Sequence, residues 1–482
     1  MRTLRSLGAG KMLVILAASA SVFSACSGGE EERPLPPGGP PGPIPRTIEA
    51  NGRFFLADED GRALVLHGVN LIDDFNTNSA KPTPGILTGE DFKLLADLGF
   101  NVVRLTRFWQ ALEPQQGLFD EAYFDRTRQL LDWCSQYGLY AVLDMHQDIY
   151  SHVFTGRGMP EWVVRSDGIP FEPIQPWWLN NVLPAVTRSW DHFWRDEDIQ
   201  QAYTNVLVAY ARRFKDHPCL LGYDLINEPY QGSMRVDEFE KTVLVSAYED
   251  WIEAIRREDP RHWIFYEPVS WIVNTSLAPS HIGVVGEEQA VYFPHLYMYT
   301  NDLNLPWNGD PAFVYTWEGR AVKILRQQRC PGMIGEFGVN ASVEGHNDFL
   351  REVLAMADRS LCGWVYWEYG YVKEQYQGRA PYQQEFIHIL SQPYARRVAG
   401  TPLFMRFDSQ GKVFELEFIP SGKAGASTEI FVSASRHYPD GWRIATSDKT
   451  GRWSLDVDPA TGVLRYYADP EEPWCTVRIE PR

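Results

Sequence analysis

A chain of 482 residues, 44% hydrophobic and 22% charged, has apolar material for a large core, as two to three domains or one large barrel with an accessory domain. Its formal net charge of −18 argues against a nucleic-acid partner, because phosphate binding draws on clustered Lys and Arg. Aromatic residues make up 13%, with 17 Trp, which serves both a barrel core and flat surfaces on which sugar rings stack.

Residues 1–26 read as an export signal. Arg2, Arg5 and Lys11 precede an apolar run from Met12 to Phe23, followed by Ser24, Ala25 and Cys26. The run falls short of the roughly 20 residues that span a bilayer. Small residues before a cysteine resemble a bacterial lipoprotein signal, with Cys26 lipidated as the new N-terminus and Phe23 standing where Leu is usual. The alternative is an ordinary secretory signal cut near Ala25. Either way the expected product is exported, as a cell-envelope lipoprotein or a secreted protein. Residues 27–47, with three consecutive Glu and the Pro- and Gly-dense stretch Pro34–Pro45, cannot bury enough apolar surface to fold and read as a tether.

From about residue 50, β-rich runs alternate with amphipathic stretches, the pattern of a parallel α/β fold. The runs are Ala63–Asn70, Asn101–Trp109, Tyr140–Asp148, Leu220–Pro229, Trp263–Pro268, Ala290–Tyr297, Gly332–Gly338 and Cys362–Gly370. That count matches a (β/α)₈ TIM barrel over residues 48–395. Thr88 to Asp91 looks like a capping box leading into Phe92, Leu94, Leu95 and Leu98. Tyr123, Leu130, Leu131 and Cys134 recur at helical spacing, as do Phe349, Val353, Leu354 and Met356.

A long insertion from Tyr150 to about Arg195 follows the third run and carries Trp162, Trp177, Trp178, Trp190 and Trp194. Loops leaving the C-terminal ends of barrel strands form the active-site rim, so this one suits substrate capture, with at least half of its Trp expected to pack it onto the barrel. After Pro393, Phe404–Phe407, Val413–Ile419, Glu429–Ala434 and Val477–Ile479 alternate apolar and polar residues, which predicts an antiparallel β-sandwich over 396–482. Beyond Cys26, Cys134, Cys219, Cys330, Cys362 and Cys475 show no CxxC spacing. A single Cys330–Cys362 pairing stays open, and most of these read as buried thiols.

The chemistry sits at the strand ends. Arg104 lies on the second run, His146 and Asp148 on the third, and Asn227, Glu228 and Pro229 close the fourth. His295 and Tyr297 end the sixth, Glu336 lies between Gly335 and Phe337 on the seventh, and Trp367 is on the eighth. Glycoside hydrolysis needs two carboxyl groups flanking the scissile bond, and strands four and seven face each other across a barrel. Glu368, next to Trp367, is expected to point the other way and to be structural.

This ordered set resembles the retaining (β/α)₈ glycosidases of the cellulase-type glycoside hydrolase family 5, over roughly residues 50 to 395. The resemblance implies Glu228 as acid/base and Glu336 as nucleophile, with Asn227 on the sugar 2-hydroxyl. It implies that Tyr297 and Arg104 orient Glu336 and lower its pKa. His146 and His295 would line the reactive subsite, and Trp367 would be its floor. Asp148 is left equally open to sugar binding and to loop anchoring. No metal or organic cofactor is implied, since protein groups supply both roles.

Within the family, Val142–Asp148, Tyr223–Pro229, Phe293–Tyr297 and Arg397–Leu403 are similar to endoglycoceramidase-related enzymes, which release glycan from ceramide. The implied partner is a glycosphingolipid at a membrane surface, reached through the Cys26 anchor, with the enzyme expected as a monomer. The aromatic insertion and the Trp307–Trp317 region are candidates for an apolar strip that receives the lipid. Asp73 and Asp74 depart from the pattern and are candidates for a distal sugar. Alternatives are an endo-β-1,4-glucanase or mannanase, a β-glucosidase on ceramide or steryl glucosides, and an inactive carbohydrate- or lipid-binding surface protein.

Overall fold

The structure is a computed structural model that describes residues 47–50, 52–298, 303, 305–338, 343–377 and 384–482. The expected signal, Cys26 and the tether up to residue 46 lie outside the described residues. Each of the eight runs supplies a barrel strand, numbered one to eight: His67–Leu71, Val102–Arg107, Tyr140–Met145, Leu220–Asp224, Trp263–Tyr266, Ala290–Tyr292, Met333–Phe337 and Gly363–Tyr366. They form one eight-stranded sheet in which strands six to one run in reverse order, followed by eight and seven. Strands six and seven close the ring through main-chain bonds. Tyr292 N–H donates to the Pro331 carbonyl at 3.0 Å, Gly335 N–H to Pro294 at 3.0 Å, and Leu296 N–H to Glu336 at 2.8 Å.

Local signals hold where they are strong. Helix Gly89–Asp97 starts at Thr88, whose N–H and hydroxyl both donate to the Asp91 carboxylate, at 2.7 and 2.9 Å. Helices Glu121–Gln136 and His346–Ser360 bury the stripes read from the sequence.

Alternation along the strands decides what fills the barrel. Val102, Val142, Phe265, Phe293 and Val365 share an interior apolar cluster with Leu221, Trp263, Val291 and Met333. Two residues further along, the same inward face carries Arg104, Asp144, Glu267, His295 and Trp367. The interior thus changes from apolar to charged toward the C-terminal ends of the strands, where barrel sites form. Strand seven breaks the alternation. Met333 faces in while Ile334 and Phe337 join the outer cluster, and the register against strand eight shifts between those two. This irregularity leaves Glu336 on the inner face, where simple alternation would turn it out.

The C-terminal part is two antiparallel sheets around Phe414, Leu416, Phe418, Ile430, Leu464, Val477 and Ile479. Several expectations need correction here. The first run splits, because Ala63–Leu64 pairs antiparallel with Arg397 and Val398 in the sandwich and only His67–Leu71 enters the barrel. The boundary at 395/396 falls inside strand Tyr394–Val398, and Ala434 opens a short helix, Ala434–His437. Strands Trp442–Thr446, Ser454–Asp458 and Val463–Tyr467 were not expected. Ser454–Asp458 has no fully buried residue, so it lacks the apolar face that marks a strand. All five described cysteines are free thiols, so the Cys330–Cys362 pair is not formed; the Cys362 thiol contacts the Gly332 carbonyl instead.

The insertion packs as expected in part. Trp190 and Trp194 are buried, and Trp162 donates to the Glu113 carbonyl at 3.0 Å, whereas Trp177 is 53% exposed. Trp317 is buried with its indole N–H on the His295 carbonyl at 2.8 Å, so it supports the site and is not free to receive lipid. Leu303, Leu305 and Tyr315 are exposed large hydrophobic residues in or near that region.

Candidate active site

Arg104 organises the inner end of the barrel. Its guanidinium is fully buried and all of its N–H groups find acceptors from five other strands or their ends. Nε donates to Asp224 Oδ2 at 2.8 Å, and Nη1 to Asn70 Oδ1 at 3.0 Å and Glu336 Oε1 at 2.6 Å. Nη2 donates to Asn227 Oδ1 at 2.8 Å and to Glu267 Oε1 at 3.0 Å, with Asp144 Oδ1 at 3.1 Å. A planar fork with fixed donor directions can hold this many acyl oxygens in place, which a lysine cannot.

Glu336 is held at both oxygens, since Tyr297 donates its hydroxyl to Oε2 at 3.0 Å. Burial pushes its carboxyl above the ordinary value; the charges of His295 and Arg104 pull it down without overcoming burial, and Glu228 pushes it further up. The expected orientation by Arg104 and Tyr297 is therefore present, but the expected net lowering of the pKa is not. Gly335 allows the close approach this needs. A Cβ there would lie 2.9 Å from His295 Cδ2 and from the Phe293 carbonyl oxygen.

Glu228 follows strand four and is half-buried, with φ at 46°. A non-glycine residue in this left-handed region is strained by about 1–2 kcal/mol. Its N–H donates to Glu267 Oε2 at 2.9 Å, and its Oε1 accepts from Asn274 Nδ2 at 2.9 Å. His295 Nδ1 stands 2.8 Å from the same Oε1 and 3.5 Å from Glu336 Oε2. One oxygen or nitrogen from each of Glu228, His295 and Glu336 lies within 4.8 Å of the others. That separation suits direct attack by one carboxylate across the bond the other protonates, for which about 5–5.5 Å is needed, and is too short to seat a water in between.

The same three groups are close enough to hold a cation, but the donor set does not suit one. Burial works against charge on His295, yet Glu267, Glu336 and Glu228 outweigh it and hold the imidazole well above its usual pKa. A protonated imidazole has no lone pair for a metal.

His146 is set between two carboxylates, with Nδ1 2.8 Å from Asp144 Oδ2 and Nε2 3.2 Å from Asp148 Oδ2. Burial opposes its charge, but those two neighbours raise its pKa to about 9. Burial would raise Asp148; Arg157, at 2.5 Å, and His146 outweigh it and depress the carboxyl far below its ordinary value. Asp148 thus anchors the insertion through Arg157 while lining a cleft of about 430 Å³ with Asn76, Asn78 and Trp177. Trp367 stacks on His146 with ring centroids 5.3 Å apart and stays half-buried beside Arg157. Asn227 gives its carbonyl to Arg104 and one amide hydrogen to the Gln147 carbonyl at 3.0 Å, which leaves one amide hydrogen for a ligand.

All nine residues read from the sequence converge on this one end of the barrel. Asp73 and Asp74 do not. Asp73 is bound by Arg126 through two bonds of 2.8 Å, and buried Asp74 pairs with Arg107 at 2.5 Å, so both are committed to the scaffold. Glu368 lies past the end of strand eight, after a cis peptide from Trp367, and starts helix Tyr369–Tyr376. Glu267, Asn274, Asp144, Asp224 and Asn70 were missed. Inward alternation from Phe265 would have found Glu267; Asn274 sits on the short helix Ser270–Asn274 and carries no periodic signal.

Comparison with known proteins bears on this geometry. A model of the cellulase family (glycosyl hydrolase family 5) matches residues 58–373, and one of the glycoside hydrolase family 5 C-terminal domain matches residues 392–479. Endoglycoceramidase I of Rhodococcus hoagii (strain 103S) is 32% identical over 421 residues, covering 83% of this chain and 82% of the relative. Endo-glycoceramidase II from Rhodococcus sp. in complex with ganglioside GM3 superposes with a TM-score of 0.78 at 28% identity, covering 89% of this chain and all of the other. The same enzyme solved as a lactosyl-enzyme intermediate gives a TM-score of 0.76 at 28% identity, covering 89% and 99%.

Proposed function

The chain belongs to glycoside hydrolase family 5, and from that membership we propose that it is a retaining endo-β-glycosidase releasing glycan from glycosphingolipids. The observation that carries the mechanism is the pair Glu228 and Glu336, brought within 4.8 Å from strands four and seven. Glu336, oriented by Arg104 and Tyr297, attacks the anomeric carbon while Glu228 gives its proton to the leaving oxygen of ceramide. A covalent glycosyl-enzyme forms. Glu228 then takes a proton from water, whose oxygen attacks the same carbon and frees Glu336.

For the glycan side, Asn227, His146, His295 and Trp367 surround the reacting ring, and the cleft of about 430 Å³ beside Asp148 leads away from it. For the lipid side, exposed Leu277, Leu303 and Leu305 sit on loops after strands five and six, which favours an apolar aglycone over a polymer. The similarity to endoglycoceramidases of Rhodococcus supports the same choice. Among the described residues no helix is long and apolar enough to cross a membrane. The proposed export and membrane attachment are read from residues 1–26 and Cys26, and the working unit proposed is a monomer. Release of ceramide from a fluorescent glycosphingolipid, measured beside carboxymethylcellulose, tests the substrate. Cellulose cleavage without ceramide release overturns it. Loss of the membrane-bound fraction in Cys26→Ser tests the anchor.

A further inference from the structure

Glu267 ends strand five and takes no part in the bond-making steps above. Its carboxylate is 1% exposed and touches three different parts of the site. Oε1 accepts from Arg104 Nη2 at 3.0 Å and faces His295 Nε2 at 3.2 Å. Oε2 accepts the main-chain N–H of Glu228 at 2.9 Å. The other face of the His295 ring looks at Glu228 through Nδ1, at 2.8 Å. The two ring nitrogens of His295 therefore lie near different carboxylates: Nδ1 is within hydrogen-bond reach of Glu228, and Nε2 is 3.2 Å from Glu267 as an ion-pair contact outside hydrogen-bond geometry.

We infer that Glu267 is a positioning residue for the acid/base: it holds the left-handed main chain of Glu228 by its N–H and sets a negative charge 3.2 Å from the far nitrogen of His295. The ring then presents Nδ1–H to Glu228 Oε1. This inference rests on the reading of Glu228 as acid/base.

Two physical points support it. Glu228 keeps its left-handed φ of 46° only if its surroundings over-determine it, and Glu267 Oε2 receives the N–H that the turn exposes. Carboxylate charge near both ring nitrogens also favours the doubly protonated imidazole, the form that presents Nδ1–H to Glu228. The charged groups facing His295 are Glu228 after strand four, Glu267 after strand five and Glu336 on strand seven, with Tyr297 on its own loop and Arg104 beyond the carboxylates. Of these charges, Glu267 does most to raise the His295 pKa against burial.

The sign of the consequence follows. Removing the charge of Glu267 lets His295 lose its proton. The site then loses a cation 2.8 Å from Glu228 Oε1, a charge that favours the deprotonated acid. The alkaline limb of kcat/KM, which reports the free enzyme's acid, moves to higher pH. If His295 instead stayed protonated, loss of the Glu267 charge would move that limb to lower pH.

The full chain and its Glu267→Gln variant are assayed across pH on phenyl and dinitrophenyl β-lactosides, the second needing little protonation to leave. The expected result is a fall of about tenfold or more on the phenyl substrate, less than about threefold on the dinitrophenyl one, and a limb moved up in pH. An equal fall on both substrates, or a limb that stays or moves down, overturns the inference. Glu228→Gln is run alongside. If it shows no dependence on the leaving group, the acid/base reading fails; if it does and Glu267→Gln shows no shift, only the role of Glu267 fails. Ceramide release plays no part in these readouts, so a wrong lipid substrate leaves them intact. Imidazole nitrogen NMR of the wild-type chain, with His295→Asn for assignment, decides the matter should Glu267→Gln not fold: both ring nitrogens protonated at neutral pH supports the inference, one alone overturns it.

Discussion

Leu296 donates its N–H to the carbonyl of Glu336 at 2.8 Å, so one of the bonds that close the barrel runs through the main chain of the proposed nucleophile. Its neighbour Tyr297 reaches the Glu336 carboxylate from the same turn. Barrel closure and the aim of Glu336 are one feature.

Gly335→Ala tests that coupling. The added methyl would lie 2.9 Å from both His295 Cδ2 and the Phe293 carbonyl, so strands six and seven must part or His295 must move. The expected result is a loss of kcat of about tenfold or more with KM little changed, since geometry and not binding is disturbed. Steady-state kinetics with thermal unfolding checks it; wild-type kcat would show that the contact is relieved elsewhere.

Arg104→Met leaves the carboxylates of Asp224, Glu267 and Glu336 buried without their cation. Breaking a buried charge network from one side is expected to destabilise by about 3–5 kcal/mol, read by denaturant unfolding. Arg104→Lys is expected to fold better yet stay inactive, because a point charge cannot serve the Asp224, Asn227 and Glu336 oxygens together.

The His146–Asp148 pair predicts a pH window of stability. His146 has a folded pKa raised to about 9, so its contribution is complete below the unfolded value of about 6.5 and is lost as pH rises through about 9. Asp148 has a depressed folded pKa, so its contribution is present above about 3.9 and is lost as pH falls toward its folded value. The difference in melting temperature between wild type and His146→Gln should be widest between about pH 4 and 6.5 and should shrink above about pH 9. A difference constant across that range would show that the pair does not titrate with folding.

Asp358 joins helix His346–Ser360 to the sandwich by accepting from Gln392 Nε2 at 3.0 Å and Phe407 N–H at 3.3 Å. Burial raises its folded pKa to about 7 against the weaker pull of those two bonds. A raised carboxyl favours folding below its unfolded pKa and loses that advantage as pH rises through about 7. Asp358→Asn keeps one acceptor and removes the charge, so it should raise the melting temperature above neutrality relative to wild type and bring no gain near pH 4. Destabilisation at every pH would mean that the carboxylate is needed as such.

The sequence by itself indicated the barrel strands and the helix stripes, which rest on short-range regularities, and the nine candidate site residues, which rest on polar types in a fixed order at successive strand ends. A period of two residues is consistent with Arg104, His146, His295 and Trp367 standing above an apolar interior. Tertiary structure decided what no local pattern contains. The register shift on strand seven turns Glu336 inward, and Glu267 gains its place only when strand five stands beside Glu228 and His295. Asp73 and Asp74 read as sugar ligands along the chain, and only the approach of Arg126 and Arg107 committed them to the scaffold. The pKa values belong to the same class. The net rise of Glu336 is a balance of burial against charges from strands far apart in sequence, and such a balance exists only once the barrel has closed.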